Sequence, residues 1–269
     1  MSIIQAVILG LIQGLTEFLP VSSSGHLVLF RNLMSVEAAP LVFEVVVHVG
    51  TLIAVCAVFY RDIWYMIRHP LSKQTIYLVV ATIPAVIVTL LFSDFVEGAF
   101  EGAMLGFGFL ITAGILCLSE YLAAHNRKNR SFREMKATDA LVMGCMQAVA
   151  LVPGISRSGS TISGGLFTGL NRKLAAKFSF LMSVPAILGS LVFEFKDLVE
   201  FGSSGEVGWL VILIGALVAA VSGFFAIKYM MKLISEKKLY VFAIYVAIVG
   251  VFVLFDQLVT NWFFTNPFI

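Results

Sequence analysis

The sequence predicts an all-α polytopic membrane protein built as an inverted-topology repeat, each half one re-entrant helical hairpin followed by three transmembrane helices. Three observations lead there. The 269 residues are 59% hydrophobic and only 13% charged, against roughly 25% charged in a soluble domain. Six apolar runs approach the ~20 residues that a helix needs to cross a bilayer, and two more are broken by proline. The chain also matches itself at an offset of 134 residues.

Taken in order, Met1 to Phe18 is apolar but stops at Pro20 and the serine cluster behind it. A helix ends near such a proline and the polar turn starts a new one. The segment that follows, His26 to Met34, is too short to cross, so the pair reads as a hairpin that enters and leaves by one face. Crossings follow at Leu41 to Tyr60, Thr75 to Phe92 and Ala103 to Ala124. The second broken run, Ala140 to Val152, ends at Pro153-Gly154 and returns through Thr161 to Leu170. Three further crossings are expected at Leu174 to Phe195, Val207 to Met231 and Leu239 to Phe255. Pro84 and Pro185 are expected to kink their helices, which membrane segments tolerate.

Charge placement tests this count. With the chain starting outside, the inner side receives fifteen of the eighteen Lys and Arg residues, in the groups Arg61 to Lys73, Arg127 to Lys136, Arg172 to Lys177 and Lys228 to Lys238. The outer side receives Arg31 and Lys196, with Glu37, Asp94, Glu97, Glu101, Asp197, Glu200, Glu206 and Asp256. That asymmetry fits the positive-inside rule and places both termini outside.

The offset of 134 sets Ala6 on Ala140, Gly10 on Gly144, Gln13 on Gln147, Ser22 on Ser156, Ser24 on Ser158 and Gly25 on Gly159 without a gap. One hairpin plus three crossings gives halves of about 1–125 and 135–257 within a single membrane domain spanning 1–269. Three is odd, so the second half is inserted upside down, and inverted halves bring their broken helices together near the midplane. The first loop then opens outward.

Composition also excludes. A net charge of +2 is too small to indicate a nucleic-acid partner. The first dozen residues carry no basic flank and no cleavage pattern, so a removed signal peptide is not expected. Cys56, Cys117 and Cys145 are scattered in apolar runs, which indicates neither a disulfide framework nor a zinc site.

The chemistry concentrates in two loops. Gln13-Gly14-Leu15-Thr16-Glu17-Phe18-Leu19-Pro20-Val21-Ser22-Ser23-Ser24-Gly25-His26 sets a carboxylate, hydroxyls and an imidazole inside a lipid-soluble chain. Ionisable groups at that depth survive only where protein or a water-filled cavity covers them. The second loop, Pro153-Gly154-Ile155-Ser156-Arg157-Ser158-Gly159-Ser160-Thr161, sets Arg157 on the place of Ser23. An arginine in a membrane needs an anion: either Glu17, as an internal pair, or a phosphate group, which its planar fork grips bidentately. Ser22 to Gly25 and Ser156 to Gly159 each resemble a helix N-cap, and free N–H groups at a helix start bind anions. Ser22, Ser24, Gly25, Ser156, Ser158, Gly159 and Thr161 are therefore expected around the phosphate, together with Gln13.

Ser23 and His26 stand three residues apart, which brings them to one face of a helix. A hydroxyl beside an imidazole is the minimal activated nucleophile. Glu17 either holds a divalent cation against the phosphate oxygens or orients His26. Glu44, His48, Asn171 and Ser183 are expected to make interhelical hydrogen bonds.

With these motifs the chain resembles the undecaprenyl pyrophosphate phosphatase family, the bacitracin-resistance type of membrane phosphatase. The resemblance covers essentially the whole chain and rests on Gln13 with Glu17, on Pro20 to His26 and on Pro153 to Thr161. It implies that the protein removes one phosphate from undecaprenyl diphosphate at the outer face of the bacterial inner membrane, recycling the lipid carrier for peptidoglycan synthesis. It implies further a divalent cation, Mg²⁺ or Ca²⁺, and a tendency to form a homodimer. Residue by residue it makes Glu17 a catalytic or metal-binding acid, Ser23 the nucleophile, His26 the acid/base partner and Arg157 the phosphate clamp. Some members have Glu where this chain has Gln13, and either Ser23 or His26 is able to form a phospho-enzyme. The rival class is a secondary transporter or lipid flippase, since such proteins share the inverted repeat.

Overall fold

A computed structural model of the chain describes residues 1–34, 36, 41–92, 104–125, 129–193, 208–236 and 239–264. Eleven α-helices lie among these: α1 (Ile3–Phe18), α2 (Ser23–Leu33), α3 (Leu41–Val58), α4 (Tyr60–Arg68), α5 (Lys73–Leu91), α6 (Leu105–His125), α7 (Ala137–Val149), α8 (Arg157–Phe167), α9 (Arg172–Phe193), α10 (Trp209–Leu233) and α11 (Leu239–Phe255). A short 3₁₀ turn, Ile234–Glu236, and a π-helical turn, Asp256–Thr260, complete the described elements. Five helices are long and apolar enough to cross a bilayer, and the bent pair α3–α4 supplies a sixth span. The chain is a multi-pass membrane protein.

The two expected hairpins are α1–α2 and α7–α8. Pro84 and Pro185 sit inside α5 and α9 without ending them. Sequence reading missed α4, which turns 84° from α3 at Phe59. The 18 residues of α3 rise about 27 Å, close to the hydrocarbon thickness. The nine of α4 leave Tyr60, Trp64 and Tyr65 exposed, the amphipathic aromatic side chains of a membrane–water boundary. A count of apolar run length does not register a helix whose Arg61, Asp62 and Arg68 make it read as a polar loop.

Ion pairs gather where the charge count put the inner side. Arg172 grips Glu120 through two bonds of 2.6 and 2.9 Å, Lys177 meets Asp62 at 2.7 Å, and Arg130 meets Asp139 at 2.7 Å. At the other end Arg31 pairs with Glu44, joining α2 to α3. Most of the acidic residues expected outside, with Lys196, Arg127, Lys128, Lys237 and Lys238, lie outside the described residues. Asp256 is not a solvated loop charge: it is buried and accepts the backbone N–H groups of Trp262, Phe263 and Phe264.

The halves dock by exchanging partners. A Cβ at Gly10 of α1 would lie 2.4 Å from the Gly215 carbonyl oxygen of α10, and one at Gly144 of α7 would lie 2.4 Å from the Ala81 carbonyl oxygen of α5. Gly10 and Gly144 are 134 residues apart, as are Ala81 and Gly215. A contact between i and j that recurs with the two halves swapped is the signature of a two-fold axis. Small residues let membrane helices approach this closely, so Gly10→Ala should lower the thermal unfolding midpoint in detergent, by a destabilisation of about 1–3 kcal/mol. Gly114 on α6 is exposed, and a Cβ there would meet nothing within 4 Å. It supplies the contrast: Gly114→Ala should be neutral or stabilising.

Candidate active site

The first hairpin turns because Pro20 ends α1 and Ser22 opens α2, its hydroxyl accepting the Gly25 N–H at 3.3 Å. The second repeats this: Ser156 opens α8 and accepts the Gly159 N–H at 3.0 Å. Thr112 of α6 fastens the second loop, donating to the Gly154 carbonyl at 2.9 Å and accepting the Ser156 N–H at 2.9 Å. The loops then interlock. Ser158 donates to the Leu19 carbonyl at 2.9 Å, a Cβ on Gly25 would sit 3.2 Å from Gly154 Cα, and one on Gly159 would sit 3.3 Å from Pro20 Cβ.

The result is two helix starts facing one carboxylate. Glu17, 6% exposed, accepts Ser23 Oγ at 2.5 Å and Gln13 Nε2 at 3.0 Å on Oε2, and Arg157 Nη2 at 2.7 Å on Oε1. His48 Nε2 lies 3.9 Å from Oε2. Two polar atoms here are buried without a hydrogen-bond partner among the described residues: Arg157 Nη1, a cationic donor, and Gln13 Oε1, an acceptor. Burying an unmatched polar atom costs about 1–3 kcal/mol, so both mark positions that a ligand would satisfy.

The expected residues divide accordingly. Ser23, Glu17 and Arg157 form one hydrogen-bonded chain across the two hairpins, so the internal pair considered for Arg157 is present while its second nitrogen stays available. The side chains of Ser22, Ser156, Ser158 and Thr161 are committed to the loops, Thr161 to the Arg157 carbonyl at 2.8 Å and to Ser179 at 2.6 Å. What the helix starts still offer an anion is backbone: the N–H groups of Ser23, Ser24, Arg157 and Ser158 precede the first intrahelical bonds. Gln13 gives one N–H to Glu17 and leaves Oε1 unmatched, so its unsatisfied atom is an acceptor, suited to a cation or a donor.

The Ser23–His26 pair is not formed. His26 is 1% exposed, its Nδ1 bonds the Ser22 carbonyl at 2.7 Å and its Nε2 bonds the Tyr245 hydroxyl at 2.8 Å. The helix spacing is right but the ring turns toward α11 and stacks on Tyr245. Sequence reasoning missed Tyr245 altogether, since nothing local distinguishes it from a lipid-facing tyrosine. It also took His48 for a helix-bonding residue, although a histidine four residues after Glu44 on a crossing helix was a signal. Asn171 caps α9 through Leu174 N at 2.9 Å and Ser183 bonds within its own helix to Phe180 at 2.6 Å, so neither lines the site.

Comparison with known proteins gives the ancestry. Residues 6–252 match the family described as bacitracin resistance protein BacA. The chain belongs to the BacA family. Among relatives of this BacA chain, the undecaprenyl-diphosphatase of Halothermothrix orenii is 43% identical over 257 residues, covering 94% of this chain and 98% of its own. That of Carboxydothermus hydrogenoformans is 43% identical over 259 residues, covering 96% and 98%, and undecaprenyl-diphosphatase 3 of Bacillus cereus is 40% identical over 259 residues, again 96% and 98%.

Proposed function

We propose that this BacA chain is an undecaprenyl-diphosphatase that hydrolyses the lipid diphosphate to undecaprenyl phosphate and inorganic phosphate through a phosphoserine at Ser23. The observation that carries the reading is the hydrogen-bonded chain Ser23–Glu17–Arg157 between two helix starts. Ser23 Oγ attacks the terminal phosphorus and its proton passes to Glu17 Oε2. Arg157 Nη1 and the first-turn N–H groups of α2 and α8 hold the non-bridging oxygens, where charge shifts during transfer. The P–O bond to the leaving monophosphate breaks, and Glu17 returns its proton to that oxygen. A water molecule then attacks the phosphoserine with Glu17 as its base, giving inorganic phosphate and restoring Ser23.

A divalent cation fits this site as one bound with its substrate. Gln13 Oε1 is a buried, unmatched oxygen beside a carboxylate, and Mg²⁺ typically takes one or two protein oxygens and completes its shell with substrate phosphates and water. Glu17 and Gln13 would hold it, and it would neutralise the diphosphate. Glu17, Gln13, Ser23 and Arg157 come from one chain, so the mechanism needs no residue from a second copy.

The prenyl chain explains the location. Moving it into water would cost about 0.8 kcal/mol per CH₂, so the site must lie where the lipid does. The placement of Arg61, Arg130, Arg172 and Lys177 on one side supports an outward-opening site in the bacterial plasma membrane. Purified protein in detergent should release phosphate from undecaprenyl diphosphate and lose most of that rate in excess chelator. Absence of release without chelator would overturn the reading, because detergent leaves no sealed compartment on which a transporter depends.

A further inference from the structure

The two loops are near copies, but their positive backbone angles fall at different places: the second loop carries φ +86° at Gly154, whose counterpart in the first is Pro20, where the ring forbids a positive φ. Ser22 has φ +72°, in the left-handed region, while its counterpart Ser156 has the ordinary φ of −71°. Among the described residues Asn261 is the one other non-glycine residue with positive φ. Such a conformation is costly outside glycine and persists only where surroundings impose it.

Proline bars a positive φ at position 20, so the first loop takes it at Ser22, and the side chain bonded to the Ser22 carbonyl sits one helical turn on. Position 26 is histidine and position 160, its equivalent, is serine. In both loops the backbone N–H four residues on donates to the N-cap carbonyl, at 3.1 Å from His26 and 2.8 Å from Ser160. Only the first loop adds a second donor. A carbonyl accepts and cannot donate, so His26 Nδ1 carries the proton it shares with Ser22, and in the neutral ring Nε2 accepts from Tyr245. Phe109 closes the third side of the ring edge-on, its centroid 5.3 Å away. The Ser160 hydroxyl, by contrast, has no partner among the described residues, and the loop it follows is unstrained.

We infer that His26 is a positioning residue, with Tyr245 behind it: the Nδ1–H clamp on the Ser22 carbonyl holds Ser22 in its left-handed conformation and so aims Ser23 at Glu17. Neither nitrogen moves a proton in the reaction. The inference rests on the proposed Ser23 chemistry and assigns the family's imidazole a mechanical role there.

The test uses glycine, which adopts positive φ without a Cβ clash and serves as an N-cap nearly as well as serine. Phosphate release by the wild type is measured first, and its absence would sink the phosphatase reading itself. Given activity, His26→Ala should lower kcat by about 10- to 100-fold. Ser22→Gly placed in that background should regain at least tenfold and raise the thermal midpoint of the His26→Ala protein. His26→Asn, whose amide N–H stands near the Nδ1 position, should retain more activity than His26→Ala, and Tyr245→Phe should lose only severalfold. If the double variant is no faster than His26→Ala, or if His26→Asn is as slow as His26→Ala, the inference fails and the imidazole is a proton-transfer group. Should His26→Ala not fold, the Asn variant with and without Ser22→Gly decides by the same comparison.

Discussion

Arg157→Lys should slow phosphate release by about three orders of magnitude. Lysine keeps the charge but offers a point cation in place of a planar fork. One Arg157 nitrogen is already occupied by Glu17, so only a guanidinium can hold the carboxylate and the phosphate together. Arg157→Ala should be slower still and also less stable, because removing one partner of a buried pair leaves the other charge unmatched, at about 3–5 kcal/mol. Rates and thermal midpoints taken together separate the two effects. A lysine variant within tenfold of wild type would show that Arg157 serves only to hold the hairpins.

The second large effect belongs to Ser23. Removal of an attacking hydroxyl that works as part of a unit with its base costs about 10⁴-fold or more, and Ser23→Ala should lose at least that while folding normally, since Glu17 keeps Arg157 and Gln13 as partners. Acid quenching of the wild type during turnover should trap a phosphoserine at this position that the variant lacks. A loss of only a few fold, or a phospho-enzyme found on an imidazole, would move the nucleophile elsewhere.

Much of this molecule is legible in the order of its residues. The six crossings and both hairpins follow from apolar length and from Pro20 and Pro153, because in hydrocarbon a run either spans or must turn back. Glu17, Ser23 and Arg157 stand out for a related reason: each is expensive at that depth, so each announces a site. What stays hidden depends on rotation about single bonds or on distant partners. His26 is expected to face Ser23 because helix spacing permits it, yet spacing does not say which way an imidazole turns when a tyrosine 219 residues later offers a hydroxyl. The helix α4 is hidden because its alternation of arginine and aromatic residues is the pattern of a boundary and not of a core. Ser22 shows nothing, since a backbone angle leaves no mark on a serine.

The exchange of partners between halves has a consequence for how the chain is made. Gly10 finds its seat on Gly215, roughly 200 residues later, which at about 5–20 residues per second means that the first hairpin waits some 10–40 s on the ribosome's schedule before its docking helix exists. Arg157 follows Glu17 by 140 residues, about 7–28 s on the same schedule, and until it arrives the carboxylate has only neutral partners in its own hairpin, Gln13 and Ser23. Assembly of the reactive centre is therefore a late event of biogenesis, and truncated chains that end before α10 should be inert and short-lived.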